Sequence, residues 1–289
     1  MKVTWSELVV GATLAALAYR QGSWVTDATE TEASWRDRLP ERIFAELSRV
    51  TQVETYQNSG VDAFSCRQSI QHHVERDPAV TRWVVVRGTD RPWDWVRDLR
   101  IRKVAGPFGR EGEFVHATWI DDAARLWSHM KLGAVCRSAA KHGERIAFVG
   151  HSLGGATAVM LAALARQDDV SVHLVMPISC PRVGSDAFVR TFERKIGPSR
   201  IFRFTRCRDA VCRVPMRRCG WRHVGVNHYF DRFGEYHRDP SRGYMAWDRA
   251  TQKLVELTDM TACNNSAWEH HSMAGMKTLI SAHAGRIAK

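Results

Sequence analysis

The sequence predicts an α/β fold in which one largely parallel sheet is covered by helices. Three observations predict it. Short, near-continuous apolar runs recur at Trp83–Val86, Ile146–Val149, Val172–Ile178 and Ile201–Phe204. Such runs suit strands buried on both faces. Helical patterns separate them, at 117–142 and in the Ala/Leu-rich stretch 153–167, and that alternation is the mark of a helix-covered parallel sheet. Nothing repeats and no linker divides the 289 residues, so one domain over 1–289 is expected.

Taken in order, residues 5–20 read as a helix. Lys2 followed by the apolar run Leu8–Ala18 has some features of a short secretory signal. A single basic residue, Trp5 and Glu7 in the approach, and the continuation Tyr19-Arg20 favour a helix packed in the fold. A helical piece is expected around Glu41–Val53, then a turn at Gly60 and a weakly alternating stretch at Val61–Ser65. The run Trp83–Val86 stops abruptly in Arg87-Gly88-Thr89-Asp90, and one or two helical turns should occupy 92–99. Ala105–Gly112 reads as a loop, 117–142 as a helix ending at Gly143, and 273–283 as a final helix. Strand-like pieces at Tyr244–Trp247 and Leu254–Leu257 would add antiparallel edges.

Charge and cysteine content narrow the class. The chain carries 42 basic and 31 acidic residues, a net charge of +11. Between Arg200 and Arg222 lie eight arginines and one acid, Asp209. By charge alone this suits nucleic acid or an anionic lipid surface; the chemistry below favours lipid, and no nucleic-acid partner is expected. No run approaches the roughly 20 apolar residues that span a bilayer. Seven cysteines are an odd number in a chain long enough to need no staples. Cys207, Cys212 and Cys219 follow no common zinc spacing, and no metal or cofactor is expected. Mostly reduced thiols imply a cytoplasmic protein, with peripheral membrane association as an addition and secretion left open.

The chemistry centres on Gly150-His151-Ser152-Leu153-Gly154. This is G-x-S-x-G, weak as a bare pattern, but here a buried strand precedes it and a small-residue helix follows. That context defines a nucleophile elbow, whose strained turn lifts a serine hydroxyl above the sheet edge. Serine needs a base to take its proton, and on such a scaffold the partners follow in the order serine, acid, histidine. Asp209, just beyond the strand at Ile201–Phe204 and isolated among arginines, is the candidate acid. Six histidines lie beyond it. His270 and His271, at the start of the final helix, are suitably placed, and the residues alone do not choose between them. For the oxyanion, the N–H of Leu153 and the loop Arg87-Gly88-Thr89 are candidates, with Thr89 offering both an N–H and a hydroxyl.

These blocks together resemble the class 3 (fungal-type) lipases of the α/β-hydrolase superfamily. Val86-Arg87-Gly88-Thr89 with Asp94-Trp95 and Asp98-Leu99 is similar to the family's oxyanion segment. Val149 to Ala156 is similar to its elbow, and Pro181-Arg182-Val183-Gly184 with Phe188 to its P-R-V-G segment. Asp209 to Pro215 and His223-Val224-Gly225 are similar to its acid loop and the H-x-G that follows. The ending His271-Ser272-Met273-Ala274-Gly275-Met276 fits H-S-M-x-x-Y with Met last, so the resemblance implies His271 as the base and His223 as structural. Val86 departs from the usual Phe, and Ala117-Thr118 stands where the family has x-G-F. The resemblance also implies a lid over 90–99, for which Trp93, Trp95 and Val96 are the candidates; a fixed helix with inward tryptophans is the alternative. The implied function is hydrolysis of lipid esters, as a triacylglycerol or monoacylglycerol lipase. Phospholipase A1 on anionic surfaces, a short-chain esterase, and a non-catalytic lipid-binding protein on the same scaffold are the alternatives.

Overall fold

The computed structural model describes residues 2–19, 50–58, 61–70, 79–88, 101–258 and 271–287. In chain order these form α1 (Trp5–Leu17), β1 (Val50–Asn58), β2 (Val61–Ile70), β3 (Ala79–Val86), β4 (Lys103–Ala105) and β5 (Phe114–His116). Then come α2 (Ala117–His129), α3 (Leu132–Lys141), β6 (Arg145–His151), α4 (Leu153–Gln167), β7 (Leu174–Ile178) and α5 (Asp186–Ile196). The chain continues through β8 (Phe202–Arg206), β9 (Val226–Phe230), β10 (Tyr236–Arg238), α6 (Arg242–Thr258) and α7 (Met273–Ile287). The main sheet has eight strands in the order β1-β2-β3-β6-β7-β8-β9-β10. Pairing is parallel from β3 through β9, and antiparallel at both margins.

The apolar runs form the centre of this sheet because both faces are covered. Val84, Val86 and Phe148 point into a core shared with Trp119, Leu126 and Leu161. Their neighbours Trp83, Val85, Ala147 and Val149 point the other way, against Leu8, Leu14, Met276 and Ile280. Successive strand residues alternate between faces, so a run with no polar member requires a helix layer on each side. On the second side that layer is α1 packed beside α7.

The expected packed N-terminal helix is therefore present, and its sequence explains its position. Thr4 and Glu7 form a reciprocal capping box. Gly11 lies over Trp83 and Met176, where an added Cβ would come within 2.8 Å of the Met176 sulfur. Glu7 is fully buried and faces His173 at 2.8 Å and Arg145 at 3.2 Å. Burial opposes its ionisation, but His173, the Thr4 N–H and Arg145 outweigh that and lower its carboxyl from 4.5 to about 2.

Three expectations are corrected. The stretch 117–142 is two helices, because Lys131 adopts φ 50° and breaks the ladder between them. Val50–Val53 belongs to β1 rather than to a helix, and the rest of that expected piece, 41–49, lies outside the described residues. Tyr244–Trp247 and Leu254–Leu257 lie within α6. Four-residue apolar runs fit either period. Here Ser241 accepts from the Tyr244 N–H, and Asp248 is buried against the Tyr229 hydroxyl, which selects helix. The antiparallel edges come instead from β1, β2 and β10. Among the described residues no helix is long and apolar enough to cross a membrane.

Candidate active site

Strand β6 delivers the serine. Every residue from Ile146 to His151 is buried, and the chain turns at Ser152 with φ 57° and ψ −127° before entering α4. An L-residue at positive φ is strained, and here the surroundings hold it. The Ser152 N–H donates to the Ile178 carbonyl at 2.9 Å, and its own carbonyl accepts from Gly155. The flanking glycines are steric necessities: a Cβ on Gly150 would sit 2.8 Å from the Gly155 nitrogen, and one on Gly154 would sit 2.5 Å from the Arg87 carbonyl oxygen. Gly88 packs against the same turn, its would-be Cβ 2.9 Å from Ser152 Cβ. Arg87 fixes that loop through its N–H to the Asp62 carbonyl and its guanidinium to the Asp62 carboxylate, both at 2.8 Å.

The structure brings Ser152, His271 and Asp209 into one hydrogen-bonded row. His271 Nε2 lies 2.9 Å from Ser152 Oγ, and its Nδ1 lies 3.0 and 3.1 Å from the two Asp209 oxygens. All three residues are buried. A carboxylate only accepts, so Nδ1–H donates to Asp209 and Nε2 is left to accept from the serine hydroxyl. Asp209 is aimed by the Val211 N–H at 3.0 Å and the Cys212 thiol at 3.4 Å. The loop carrying it is clamped by the P-R-V-G block: Arg182 takes the Val214 carbonyl with its N–H and the Pro215 carbonyl with its guanidinium, each at 2.8 Å. His223, expected to be structural, donates from Nε2 to the Cys212 carbonyl on that loop.

Leu153 is the first residue of α4, where a backbone N–H has no acceptor within the helix and the helix dipole is positive. A developing oxyanion beside Ser152 is favoured there. Thr89, the other expected oxyanion residue, lies outside the described residues. So do the expected lid residues Trp93, Trp95 and Val96, and the alternative base His270.

Two residues at this site escaped sequence reasoning. His151 Nε2 donates to the main-chain carbonyl of His271 at 2.8 Å, and Tyr19 donates its hydroxyl to His151 Nδ1 at 2.8 Å. Burial first, and then the neighbouring His271, push His151 well below the usual imidazole range, so this neutral tautomer is the one present. His151 occupies an unspecified position of the G-x-S-x-G pattern and Tyr19 lies 132 residues away from it, so no local signal marks either.

The fold is that of the α/β-hydrolases. Residues 83–219 match the lipase (class 3) family, and over that segment the recognition made from the motifs holds. The chain is 32% identical over 177 residues to phospholipase A1-II 4 of Oryza sativa subsp. japonica, covering 52% of this chain and 43% of that protein. It is 27% identical over 172 residues to secreted mono- and diacylglycerol lipase 1 of Fusarium solani, covering 57% and 49%. Thus the matched chain spans about half the length of these curated relatives. A crystal structure described as a fungal lipase superposes with a TM-score of 0.70 at 18% identity, covering 94% of this chain and 96% of that one; at that identity the likeness speaks to fold alone.

The expected cytoplasmic location is corrected by these findings. Relatives from Fusarium solani and Malassezia restricta are named as secreted lipases, which runs against that expectation. Reduced thiols do not fix a compartment in this fold. Cys66, Cys136, Cys180, Cys207 and Cys212 are free and buried and Cys219 is free and exposed. A buried thiol is a packing residue, and its presence does not report the redox compartment.

Proposed function

We propose that the protein is a serine hydrolase that cleaves carboxylic esters of lipids through an acyl-enzyme, with acylglycerols as its substrates. The observation that carries this reading is the row Ser152–His271–Asp209 on a strained elbow. Asp209 holds His271 in the tautomer whose Nε2 accepts, and His271 removes the hydroxyl proton as Ser152 Oγ attacks the ester carbonyl. The Leu153 N–H and Thr89 stabilise the oxyanion. The alcohol leaves with the proton held by His271, and water then cleaves the acyl-enzyme by the same steps. Losing one oxyanion donor costs roughly 3–4 kcal/mol, about 10²–10³ in rate. Acylglycerol preference rests on the relatives named as mono- and diacylglycerol lipases.

The test is Ser152→Ala. Turnover of a p-nitrophenyl ester is lost while the circular dichroism spectrum is retained, and a fluorophosphonate labels the parent chain but not the variant. Turnover surviving in Ser152→Ala overturns the assignment. Absence of labelling in the parent chain favours a lipid-binding protein without catalysis.

A second reading, phospholipase A1, is favoured by the rice relative and by the arginines at 200–222. Hydrolysis of anionic and neutral vesicles across a salt series separates the two readings. Attraction through a basic surface fades as the Debye length falls below about 10 Å near 0.1 M salt. Loss of activity on anionic vesicles with salt, with none on neutral acylglycerol, supports phospholipase chemistry.

A further inference from the structure

The arginines of the basic stretch do not form a flat face. Six of them, with residues from three other segments, line a cavity of about 620 Å³ that Asp209 and Cys212 also border. Nine of its lining residues are arginine and three are aspartate. Of the aspartates, Asp186 pairs with Arg222 of the lining at 3.0 Å and with Arg190 outside it at 2.8 Å, and Asp209 holds His271. Among the described lining residues arginine therefore outnumbers aspartate nine to three.

Two of these guanidiniums carry an electrostatic cost. Arg203 is buried, and its hydrogen bonds go to the Val224 carbonyl at 3.1 Å and the Asn227 side-chain oxygen at 2.9 Å, both neutral acceptors. Arg182 is half-buried and donates to main-chain carbonyls of Arg213 and Pro215. Burial, with Arg203, Arg217 and Arg213 nearby, lowers Arg182 from 12.5 to about 10. Asp239 and Glu193 act on Arg203 from further off, and a desolvated cation hydrogen-bonded only to neutral groups is stabilised further by a counter-charge brought into contact with it. At the rim, Arg213, Arg217 and Arg242 are exposed and Arg249 is half-buried. Among the described residues no carboxylate pairs with any of these four. Burial and the positive charges of Arg182 and Arg203 also keep His223 neutral in this wall.

We propose that this cavity, which borders the Asp209 loop but is not the position of the Ser152 hydroxyl, is a binding site for a phosphate-type oxyanion. Several planar guanidinium forks converging on one volume match a tetrahedral, multiply charged oxyanion, which offers each fork two oxygens. A phospholipid head group and free phosphate share this chemistry. The proposal does not depend on the chain being an esterase.

The test is isothermal titration of the full chain with inorganic phosphate, at constant ionic strength set by chloride. Saturable binding of one phosphate per chain is expected. Arg217→Glu/Arg242→Glu weakens it by at least about tenfold, whereas the charge-matched control Arg110→Glu/Lys141→Glu, on exposed residues away from the cavity, leaves it unchanged. Both double variants should retain p-nitrophenyl ester turnover and the parent melting temperature without phosphate; if the first does not fold, Arg213→Gln/Arg217→Gln replaces it. Co-sedimentation with phosphatidylcholine vesicles containing phosphatidic acid distinguishes the sources. Vesicle binding displaced by free phosphate identifies a head group, and phosphate binding without vesicle binding identifies the free ion. No saturable phosphate binding at about 10 mM, or equal weakening in the two double variants, overturns the proposal.

Discussion

Gly88 packs against the turn that carries Ser152, and Tyr19 reaches the same turn through its hydrogen bond to His151. A Cβ on Gly88 would meet the His151 carbonyl oxygen at 2.6 Å and Ser152 Cβ at 2.9 Å, and both belong to a rigid turn. Gly88→Ala is therefore expected to cost about 1–3 kcal/mol, as overpacking does, and to lower kcat by up to about 10²-fold through displacement of the hydroxyl. Urea unfolding and ester turnover on the same preparation check both. Tyr19→Phe removes the donor to His151 Nδ1 and leaves a buried acceptor unsatisfied. A loss of about 1 kcal/mol is expected from urea midpoints, with a fall in kcat and little change in KM because no substrate contact is removed.

At the scale of elements, α1 is held to the sheet by charge as well as by packing. The Glu7 carboxyl falls from 4.5 to about 2 in the folded chain. A group whose pKa is depressed on folding stabilises above its unfolded value and loses that contribution as pH falls through the folded one. Stability from Glu7, roughly 3 kcal/mol at neutral pH, should therefore disappear between about pH 4.5 and 2. His116 adds to the acid sensitivity from a higher pH. Burial, with Arg102 nearby, lowers it from 6.5 to about 4. The unfolded chain takes the proton first, so stability falls as pH drops across that interval. Glu7→Gln should flatten the lower part of the stability–pH curve and leave the His116 part in place; unfolding free energies between pH 7 and 3 are the measurement.

At the scale of the whole molecule, the thiols among the described residues divide into one exposed group, Cys219, and a buried set. Burial raises Cys66, Cys136, Cys180 and Cys207 from 9.0 to about 12, so their thiolates are scarce as well as shielded. Iodoacetamide applied to the native protein should modify Cys219 and spare those four, and all should react in guanidinium; peptide mass spectrometry reads the sites. What was legible in the sequence follows the same division between local and long-range order. Strands β3, β6, β7 and β8 could be read because burial on both faces leaves an unbroken apolar run. Ser152 could be read because the elbow's steric demand is written in adjacent glycines. His271 could not be separated from His270 by physics, since the choice depends on a loop geometry spanning 62 residues to Asp209. Tyr244–Trp247 was misread because its partner, the Tyr229 hydroxyl on Asp248, is not local either. The arginine stretch was visible as composition, but its closure into a cavity depends on Arg182, Arg242 and Arg249 arriving from elsewhere in the chain.

The bond from His151 to the His271 carbonyl bears on how this protein could be diversified. The residue beside the nucleophile grips the backbone of the candidate base, so the two halves of the machinery share one fastening although 119 residues separate them. In a saturation library at position 151, survivors should be those side chains that reach the same carbonyl with an N–H, glutamine foremost. Apolar replacements of equal volume should drop out even under mild selection. A position that pattern matching treats as free would then behave, under selection, as one of the most constrained in the chain.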